Sequence, residues 1–363
     1  MILFLHNRYR RSGGEERAVE DLLWLVREHL GEDAELLERD SALLGRGRAG
    51  GGMLRGGLRP DEVARAVRRT GARVVHAHNL NPTFGWRALA AARDSGARVV
   101  AHLHQYRLVC AVGICFTDGR ECTRCHGRNT LPGVLHGCRG SAPESLVYAA
   151  ALALWQRRLG GLIDAAIVPS EFARGRLLEL GAPLPTTHVL AHPVRGFAER
   201  SRAHEGSFAL FSARLEPEKG LDTAIEACRI ADLPLVVAGS GSERRRFEGA
   251  PEVSFAGELP EAELAALRER ARLALMPSRT GETFGLAAAQ AMAAGLPVAG
   301  SNIGALPELI PPQWLSAPGD APALARTIGA LGADPRAGET ALASVRELLD
   351  PGRLAATLAA IYS

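Results

Sequence analysis

The chain has 363 residues, which is long for one hydrophobic core and predicts two or three domains. Hydrophobic residues make up 47% and charged residues 23%, a balance that is typical of globular proteins and excludes disordered and membrane-spanning classes. The formal net charge of +3 is too small, and the basic residues too scattered, to indicate nucleic acid as a partner. No secretory pattern opens the chain, so we expect a cytoplasmic protein with at most peripheral membrane contact.

Short apolar runs alternate with longer helical patterns through the first half of the chain. Such alternation predicts βαβ units and a parallel sheet. The predicted strands are residues 2–6, 73–78, 98–102, 165–169 and 188–191. The predicted helices are residues 16–30, 60–70, 84–95, 143–159 and 171–180.

A polar stretch without an apolar period, residues 194–206, separates this series from a second one and is the predicted interdomain linker. The strands of the second series are predicted at residues 208–211, 235–238, 253–256, 273–277 and 297–299, with helices between them. We therefore predict an α/β protein of two doubly wound parallel-sheet domains, residues 1–193 and 207–345, that face a central cleft. Residues 346–363 form a C-terminal helix that is able to pack back on the first domain.

Two segments lie outside the alternation. Residues 45–57 are rich in glycine and arginine and indicate a mobile loop, for which contact with an acceptor and a plain surface position both stay open. Residues 105–140 form an insert with five of the six cysteines. Four of them follow the spacing C-x11-C-x2-C-x12-C and suit a structural zinc ion, with free thiols and disulfides as open alternatives: Cys110, Cys122, Cys125 and Cys138.

The turn after the predicted strand 208–211 carries the only lysine of the chain. Arg214 and Lys219 stand five residues apart where a strand ends and a helix begins, so both can reach an anion that the helix N-terminus already favours. An ammonium is a compact point charge, which suits a tight anion site in a chain whose other basic residues are arginine. The alternative is an exposed turn with surface ion pairs to Glu216 and Glu218. We favour a diphosphate site.

A glycine-bearing loop, residues 277–286, follows the predicted strand 273–277 and precedes an alanine-rich helix. Its glycines let backbone N–H groups approach a ligand at the start of that helix. The carboxylate of Glu282 can accept hydrogen bonds from sugar hydroxyls, and Gln290 lies two turns deeper on a similar face. The alternative for Glu282 is a helix-capping acid.

These motifs resemble glycosyltransferase family 4, the retaining enzymes of the GT-B fold, and the likeness covers nearly the whole chain. Arg214-Leu215 through Lys219-Gly220 is similar to the family's RLxxxKG pattern, which implies that Arg214 and Lys219 bind the donor diphosphate. Glu282 and Gln290 occupy the positions of its E-x7-E pattern. The resemblance places Thr283, Phe284, Gly285 and Leu286 around the donor as well.

The first half also resembles this family. Residues 6–22 are similar to its opening glycine loop, which implies that Gly13 and Gly14 lie near the donor phosphates. His104 follows a strand at the position where the family has a histidine beside the donor sugar. We expect the other histidines at strand ends to be structural. A similar cysteine-bearing insert occurs in a subset of the family, which favours zinc.

The resemblance implies a retaining hexosyltransferase that needs no cofactor for transfer. Its donor would be a UDP-, GDP-, ADP- or dTDP-sugar, and its acceptor, which the sequence does not identify, a natural product, a cell-surface glycan or a lipid-linked glycan. Arg214, Lys219, Glu282 and His104 are the expected catalytic residues. Gln290 departs from the family's second glutamate: its amide oxygen accepts a ribose hydroxyl without the charge that would strengthen the bond.

Three other functions stay open. A GT-B subunit that binds but does not transfer is compatible with Gln290, and a GT-B epimerase or phosphorylase shares the fold. An NAD-dependent dehydrogenase would also have two nucleotide-binding-like domains. The first strand turn, however, lacks G-x-G-x-x-G, of which Gly239-Ser240-Gly241 is only a fragment.

Overall fold

A computed structural model describes residues 1–9 and 13–363 of the protein. The described chain divides into two compact units. The first contains Met1–Thr117, Cys122–Pro193 and Pro351–Ser363, and the second contains Asp118–Glu121 and Val194–Asp350. Residues 194–206, predicted as a linker, lie in the second unit.

The first unit is built on a six-stranded parallel sheet. Its strands are β1 (Ile2–Arg8), β2 (Ala34–Asp40), β3 (Val74–Ala77), β4 (Arg98–His102), β7 (Ala165–Val168) and β8 (Thr187–Val189), in the order β2-β1-β3-β4-β7-β8. Two short strands, β5 (Phe116–Thr117) and β6 (Arg120–Glu121), lie in the cysteine-bearing insert. Along the chain, buried apolar strands alternate with helices, as the sequence predicts for βαβ units.

Helices cover this sheet. They are α1 (Gly14–Trp24), which continues as a π-helical turn (Leu25–His29), α2 (Arg46–Leu54), α3 (Pro60–Thr70), α4 (Gly85–Asp94), α5 (Leu131–Leu135), α6 (Ala142–Gly160) and α7 (Glu171–Glu179). One core lies between the sheet and α3 and α4, with Phe84 and Leu89 fully buried. Each such side chain stabilises the fold by roughly 1.5–3 kcal/mol.

The second unit repeats the architecture. Its strands are β9 (Ala209–Ser212), β10 (Leu235–Ala238), β11 (Val253–Gly257), β12 (Leu273–Met276), β13 (Val298–Ser301) and β14 (Leu315–Ser316), in the order β11-β10-β9-β12-β13-β14. Its helices are α8 (Leu221–Ala231), α9 (Arg244–Phe247), α10 (Glu261–Arg270), α11 (Leu286–Ala293), α12 (Leu306–Leu309), α13 (Ala321–Ala333) and α14 (Ala337–Leu348). Three short 3-10 turns complete it: Ala203–Glu205, Pro217–Lys219 and Pro312–Trp314. The predicted fold class of two doubly wound parallel-sheet domains is confirmed.

The last helix, α15 (Pro351–Tyr362), belongs to the first unit. The Tyr362 hydroxyl lies 2.6 Å from Nδ1 of His76, and Arg73 donates to the Tyr362 carbonyl at 3.0 Å. The C-terminal end of the chain is therefore held against β3 by polar contacts within that unit.

The glycine-rich segment 45–57 is not the loop that its composition predicts, because residues Arg46–Leu54 form α2. This helix packs against α6, and a Cβ added at Gly50 would stand 3.5 Å from Cγ1 of Val147. A Cβ at Gly52 would stand 3.0 Å from the Pro82 carbonyl oxygen. Tertiary packing thus outweighs the low helix propensity of glycine, which here allows close approach.

Candidate functional site

The loops after β9 and β12 meet at one edge of the second sheet. β9 and β12 are neighbours, with Phe211 paired to Leu275, although β10 and β11 come between them in the chain. The strand order reverses at this point, and open α/β sheets bind ligands at such a switch point beyond the carboxyl ends of the strands. Arg214 and Lys219 follow β9, and the loop with Glu282 follows β12.

Lys219 and Glu282 form the centre of this site. Lys219 Nζ donates to Glu282 Oε1 at 2.6 Å, and the Ser278 hydroxyl donates to the same oxygen at 2.6 Å. Burial raises the pKa of the Glu282 carboxyl, but the charge and hydrogen bond of Lys219 and the bond from Ser278 outweigh it, so that the pKa lies below its usual value. Glu282 is therefore a charged acceptor with one oxygen already occupied.

Arg214 is more open than Lys219. Its Nη2 lies 3.2 Å from Oε1 of the buried Glu218, while 51% of the Arg214 side chain is exposed. The backbone N–H of Arg279 donates to the Glu218 carbonyl at 2.8 Å, and this ties the β9 turn to the β12 loop. A long, half-exposed guanidinium beside an ordered lysine can reach an anion at this edge.

Helix α11 begins beside these side chains. Gly285 caps it with φ +95°, and a Cβ there would stand 2.7 Å from Cδ2 of Leu306. Only glycine adopts this backbone without strain, so the turn can aim the N-terminal N–H groups of α11. The predicted donor residues Thr283, Phe284 and Leu286 lie on this turn, with Phe284 buried. Their contact with a donor stays a prediction.

Gln290 has an unexpected partner. Its Oε1 accepts from Nη2 of Arg268 at 3.0 Å, and Nη1 of Arg268 donates to Glu261 at 2.6 Å. Arg268 is buried, and its guanidinium is hydrogen-bonded to the carboxylate of Glu261 and the amide of Gln290. The side-chain oxygen that we expect to accept a ribose hydroxyl is thus engaged within the protein.

In the first unit the predicted glycine loop surrounds an acid. The Gly13 N–H donates to Oε2 of Glu16 at 2.8 Å, and the Tyr9 N–H donates to Oε1 at 3.0 Å. Burial raises the pKa of Glu16, but the nearby His6 ring and hydrogen bonds from the backbone outweigh it and lower the pKa overall. The Gly13 N–H is therefore occupied, and Gly14 is the first residue of α1. Arg10 to Ser12 of the predicted loop lie outside the described residues.

His104 lies in a stack of buried imidazoles. Its Nε2 is 2.8 Å from Nδ1 of His78, its Nδ1 is 3.4 Å from Nε2 of His192, and its ring stacks on His102 at 4.3 Å between centroids. His76 extends the stack. Burial lowers the pKa of all five, to about 3 for His76 and about 4 for His192, so these rings are neutral at pH 7.

Two histidine trios have ring nitrogens within 4.8 Å of one another: His76, His78 and His102, and His102, His104 and His192. An ion bound to an imidazole nitrogen lies near the plane of that ring. The planes of His76 and His102 differ by 8° and those of His102 and His104 by 9°, so stacked pairs cannot share one ion in plane. As they stand, these described histidines form a stack and not a built metal site.

The four predicted zinc ligands line one small pocket. Cys110, Cys122, Cys125 and Cys138 surround a space of about 10 Å³. A hydrogen bond from the Cys115 thiol lowers the pKa of Cys110 to about 6, whereas burial raises the pKa of Cys125. The space is close to that of one bound water, and a thiolate at Cys110 is the form that binds metal. Among the described residues, no three of these cysteines have their sulfur atoms within 4.8 Å of one another. Zinc binding stays a prediction.

Sequence reasoning missed several polar side chains around these centres. Ser278 and Arg268 hold Glu282 and Gln290. In the first unit the half-buried Tyr9 and Gln105 both donate to the buried Glu15. Ser278 comes directly after the predicted strand 273–277, and Glu15 comes directly before the predicted helix 16–30, and both positions were signals of ligand contact.

Two family models match the chain. The one described as glycosyl transferases group 1 matches residues 197–342, and the one described as glycosyl transferase 4-like domain matches residues 32–193. Together they cover most of the sequence, with one model on each half.

Curated relatives match over shorter lengths. Glycogen synthase of Mycobacterium tuberculosis is 34% identical over 168 residues, which is 42% of this chain and 40% of that protein. The GDP-mannose-dependent alpha-(1-6)-phosphatidylinositol dimannoside mannosyltransferase of the same species is 34% identical over 167 residues, 40% of this chain and 43% of that protein. The chain thus spans about two-fifths of the length of these relatives.

A solved structure shows the same fold. Alr3699/HepE of Anabaena, in complex with UDP and glucose, superposes with a TM-score of 0.63 and covers 99% of this chain and 98% of that one, at 18% identity. In the described residues we find no helix that combines the length and apolar character needed to cross a membrane.

Proposed function

The chain belongs to the family 4-like GT-B glycosyltransferases, and on that premise we propose that it moves a hexose from a nucleoside-diphosphate sugar to an acceptor hydroxyl with retention. The observation that carries the proposal is the Lys219–Glu282 pair at the switch point of the second sheet, with Arg214 beside it. A cation, a charged acceptor and a helix N-terminus in one place suit a diphosphate joined to a polyol.

The main task of this site would be to stabilise the negative charge on the leaving group. As the bond from the anomeric carbon to the β-phosphate breaks, negative charge builds on the phosphate, and Arg214 and Lys219 would stabilise it. The N–H groups at the start of α11 would add a fixed dipole. Because Lys219 has 15% of its side chain exposed, it can turn from Glu282 toward a phosphate without leaving the site.

Glu282 would orient the sugar. A carboxylate whose pKa is lowered stays an acceptor at neutral pH, and its second oxygen can receive a sugar hydroxyl. The predicted role of His104 would be exercised as a neutral ring, because burial lowers its pKa, and a hydrogen bond to a ligand would have to replace its contact with His78 or His192. We propose no covalent enzyme intermediate.

We propose the donor nucleotide from the relatives and not from the site itself. HepE is described with UDP and glucose, and the mannosyltransferase relative is GDP-mannose-dependent, so UDP-glucose and GDP-mannose are the first donors to try, with ADP- and dTDP-sugars after them. A ligand at about 100 times its Kd raises stability by about 2.7 kcal/mol, which a thermal shift detects.

A structural zinc ion in the insert is our second proposal. Zinc takes four thiolates in a tetrahedral arrangement, and Cys110, Cys122, Cys125 and Cys138 line one small pocket of the insert. Among the described residues no three of their sulfur atoms lie within 4.8 Å of one another, so binding would draw these side chains closer together. The ion would hold the insert together and take no part in sugar transfer.

The function is tested by incubating the purified chain with radiolabelled nucleotide-sugars. Release of nucleotide with transfer or hydrolysis of the sugar supports a transferase. Retention is then read from the anomeric configuration of the product by NMR. Donor binding without any turnover would point instead to a binding subunit, and inversion in the product would contradict the retaining mechanism.

A further inference from the structure

The first unit contains a pocket of about 110 Å³ at the carboxyl edge of its sheet. Its walls come from the loops after β1, β3 and β4 and from helices α1, α2, α4 and α6. From β1 the chain runs to β2 on one side of the sheet and then returns to β3 on the other side of β1. The strand order therefore reverses between β1 and β3. This pocket therefore lies near the switch point of the first sheet, where α/β proteins bind small molecules.

One wall of the pocket is apolar. It is formed by Met53 of α2, Trp86 of α4 and Leu152, Trp155 and Leu159 of α6. The two indole rings stand 5.5 Å apart between centroids, and the Trp155 N–H already donates to the Leu54 carbonyl at 2.9 Å. None of these five side chains carries a hydrogen-bond acceptor oxygen, and the Trp86 indole N–H is their one donor without a partner in the described chain. The several hydroxyls of a sugar buried there would therefore lose water without enough partners.

The pocket also has a hydrogen-bond acceptor, the carboxyl group of Glu15, which is 9% exposed. Tyr9 donates its hydroxyl to Oε2 of Glu15 at 2.7 Å, and Gln105 donates to the same oxygen at 3.2 Å. Oε1 accepts no hydrogen bond from any residue that the structure describes. Burial also raises the pKa of this carboxyl. Oε1 is not among the buried side-chain atoms that lack a partner, so it is an open acceptor that water or a ligand hydroxyl can reach.

The pocket is held in shape by α6. The Tyr148 hydroxyl donates to the Arg107 carbonyl, and Gln156 donates to the Leu108 carbonyl at 2.9 Å. These bonds fix the loop after β4, which carries Gln105. A preformed pocket loses little entropy when it binds a ligand.

We propose that this pocket binds the acceptor as a hydrophobic alcohol, with its apolar body against the wall of α2, α4 and α6 and its hydroxyl donating to Oε1 of Glu15. The inference rests on the proposed glycosyl transfer and names the chemistry of its acceptor. An aromatic alcohol and an aliphatic one share this chemistry, and the space suits one ring-sized group or a length of alkyl chain.

Binding is measured by saturation-transfer NMR on the full chain without donor, with 4-methylumbelliferone as the aromatic alcohol, 1-decanol as the aliphatic one and methyl α-glucoside as the polar comparison. We expect one or both hydrophobic alcohols to bind. The one that binds shows whether the acceptor is an aromatic or an aliphatic alcohol. Binding of neither alcohol, or equal binding of methyl α-glucoside at this pocket, overturns the proposal.

The matched variants are Leu152→Gln and Leu154→Gln, both on α6. Leu152 lines the pocket, whereas Leu154 is 59% exposed and does not. Leu152→Gln places an unpaired amide against the ligand and should weaken alcohol binding about tenfold, while Leu154→Gln should leave it unchanged. Glu15→Gln should also weaken it, because an amide N–H₂ replaces one of the two carboxyl oxygens that can accept. Equal effects of the two leucine variants would refute the assignment.

The outcome is separable from the proposed function, because nucleotide-sugar turnover is measured on the same preparation. If no donor is consumed, the transferase proposal fails whatever the alcohols do. If donor is consumed and the sugar is transferred to methyl α-glucoside but to neither alcohol, only the acceptor inference fails.

Discussion

Lys219 Nζ and Glu282 Oε1 lie 2.6 Å apart, although 63 residues separate them in the chain. Adjacent strands β9 and β12 bring their loops together, and the glycine at position 220 permits the close approach, since a Cβ there would stand 2.1 Å from the Pro277 carbonyl oxygen. The carboxylate keeps the ammonium ordered without any ligand. On the proposed function, Lys219 is therefore a cation held in position before the phosphate binds, which is what electrostatic catalysis requires.

Lys219→Ala should lower kcat by about 100-fold or more, because the charge on the leaving phosphate loses its nearest cation. Arg229→Ala is the matched control, since that guanidinium is exposed and, among the residues that the structure describes, pairs only with Glu226. Single-turnover kinetics with the best donor measure the effect, after circular dichroism shows that the variant is folded. Wild-type turnover with unchanged donor affinity would remove Lys219 from the mechanism.

Gln290→Glu should strengthen nucleotide binding by roughly threefold to tenfold. A carboxylate can accept from Arg268 and a ribose hydroxyl together, and charged acceptors form hydrogen bonds about twice as strong as neutral ones. Isothermal titration with UDP and GDP measures the change, with Gln313→Glu as a control that adds the same charge at an exposed site of the second unit. A weaker or unchanged affinity would show that Gln290 does not face the ribose.

Most of the strand and helix pattern of both sheets was predictable because the inner strands are buried on both faces and read as apolar runs. The prediction missed β2, whose sequence AELLERD has no such run, since an edge strand paired only to β1 can expose polar side chains. It also missed α2, because packing of Gly50 and Gly52 against neighbouring elements does not show in composition.

The candidate site was predictable only as separate motifs. RLxxxKG and the Glu282 loop could be found from the sequence, and the strand order that joins them could not. The contact of Gln290 with Arg268 and the open oxygen of Glu15 depend on which helix faces pack together. Side-chain partners distant in the chain are set by packing, and a single sequence carries no record of them.

Gly304→Ala should disturb the Glu282 loop, because a Cβ there would stand 2.4 Å from the backbone nitrogen of Glu282 and the backbone cannot yield. Gly319→Ala is the matched control: its φ is also positive, at +80°, but no atom lies within 4 Å of the added Cβ. The control should lose about 1–2 kcal/mol of unfolding free energy from the left-handed backbone alone. Gly304→Ala should lose more and also lower kcat, and equal losses with full turnover would contradict this.

Purified protein should contain about one zinc ion per chain, as measured by inductively coupled plasma mass spectrometry. Cys122→Ser should lower the zinc content, because one of four thiolates is lost. Cys228→Ser should not, since that buried cysteine lies on α8 of the second unit, where burial raises its pKa to about 12. Absence of zinc, with the fold intact after chelation, would leave the insert as a thiol cluster.

Stability should fall steeply below pH 6.5 because of the histidine stack. Burial lowers the pKa of His76 to about 3 and of His192 to about 4, and it lowers that of His78, His102 and His104 as well. Between these values and the unfolded pKa of about 6.5 the unfolded chain binds more protons than the folded one. The free energy of unfolding therefore decreases as the pH falls through this window.

Each buried histidine should remove about 1 kcal/mol between pH 6.5 and 5.5, so the stack together should remove roughly 5 kcal/mol. Urea unfolding at pH 7.5, 6.5 and 5.5 measures this. His102→Phe should reduce the slope by about one-fifth, because it removes one titrating ring and no hydrogen bond among the described residues, whereas His204→Gln at the exposed surface should not change it. Equal unfolding free energies at pH 7.5 and 5.5 would mean that the rings are already protonated, or water-solvated, in the folded chain.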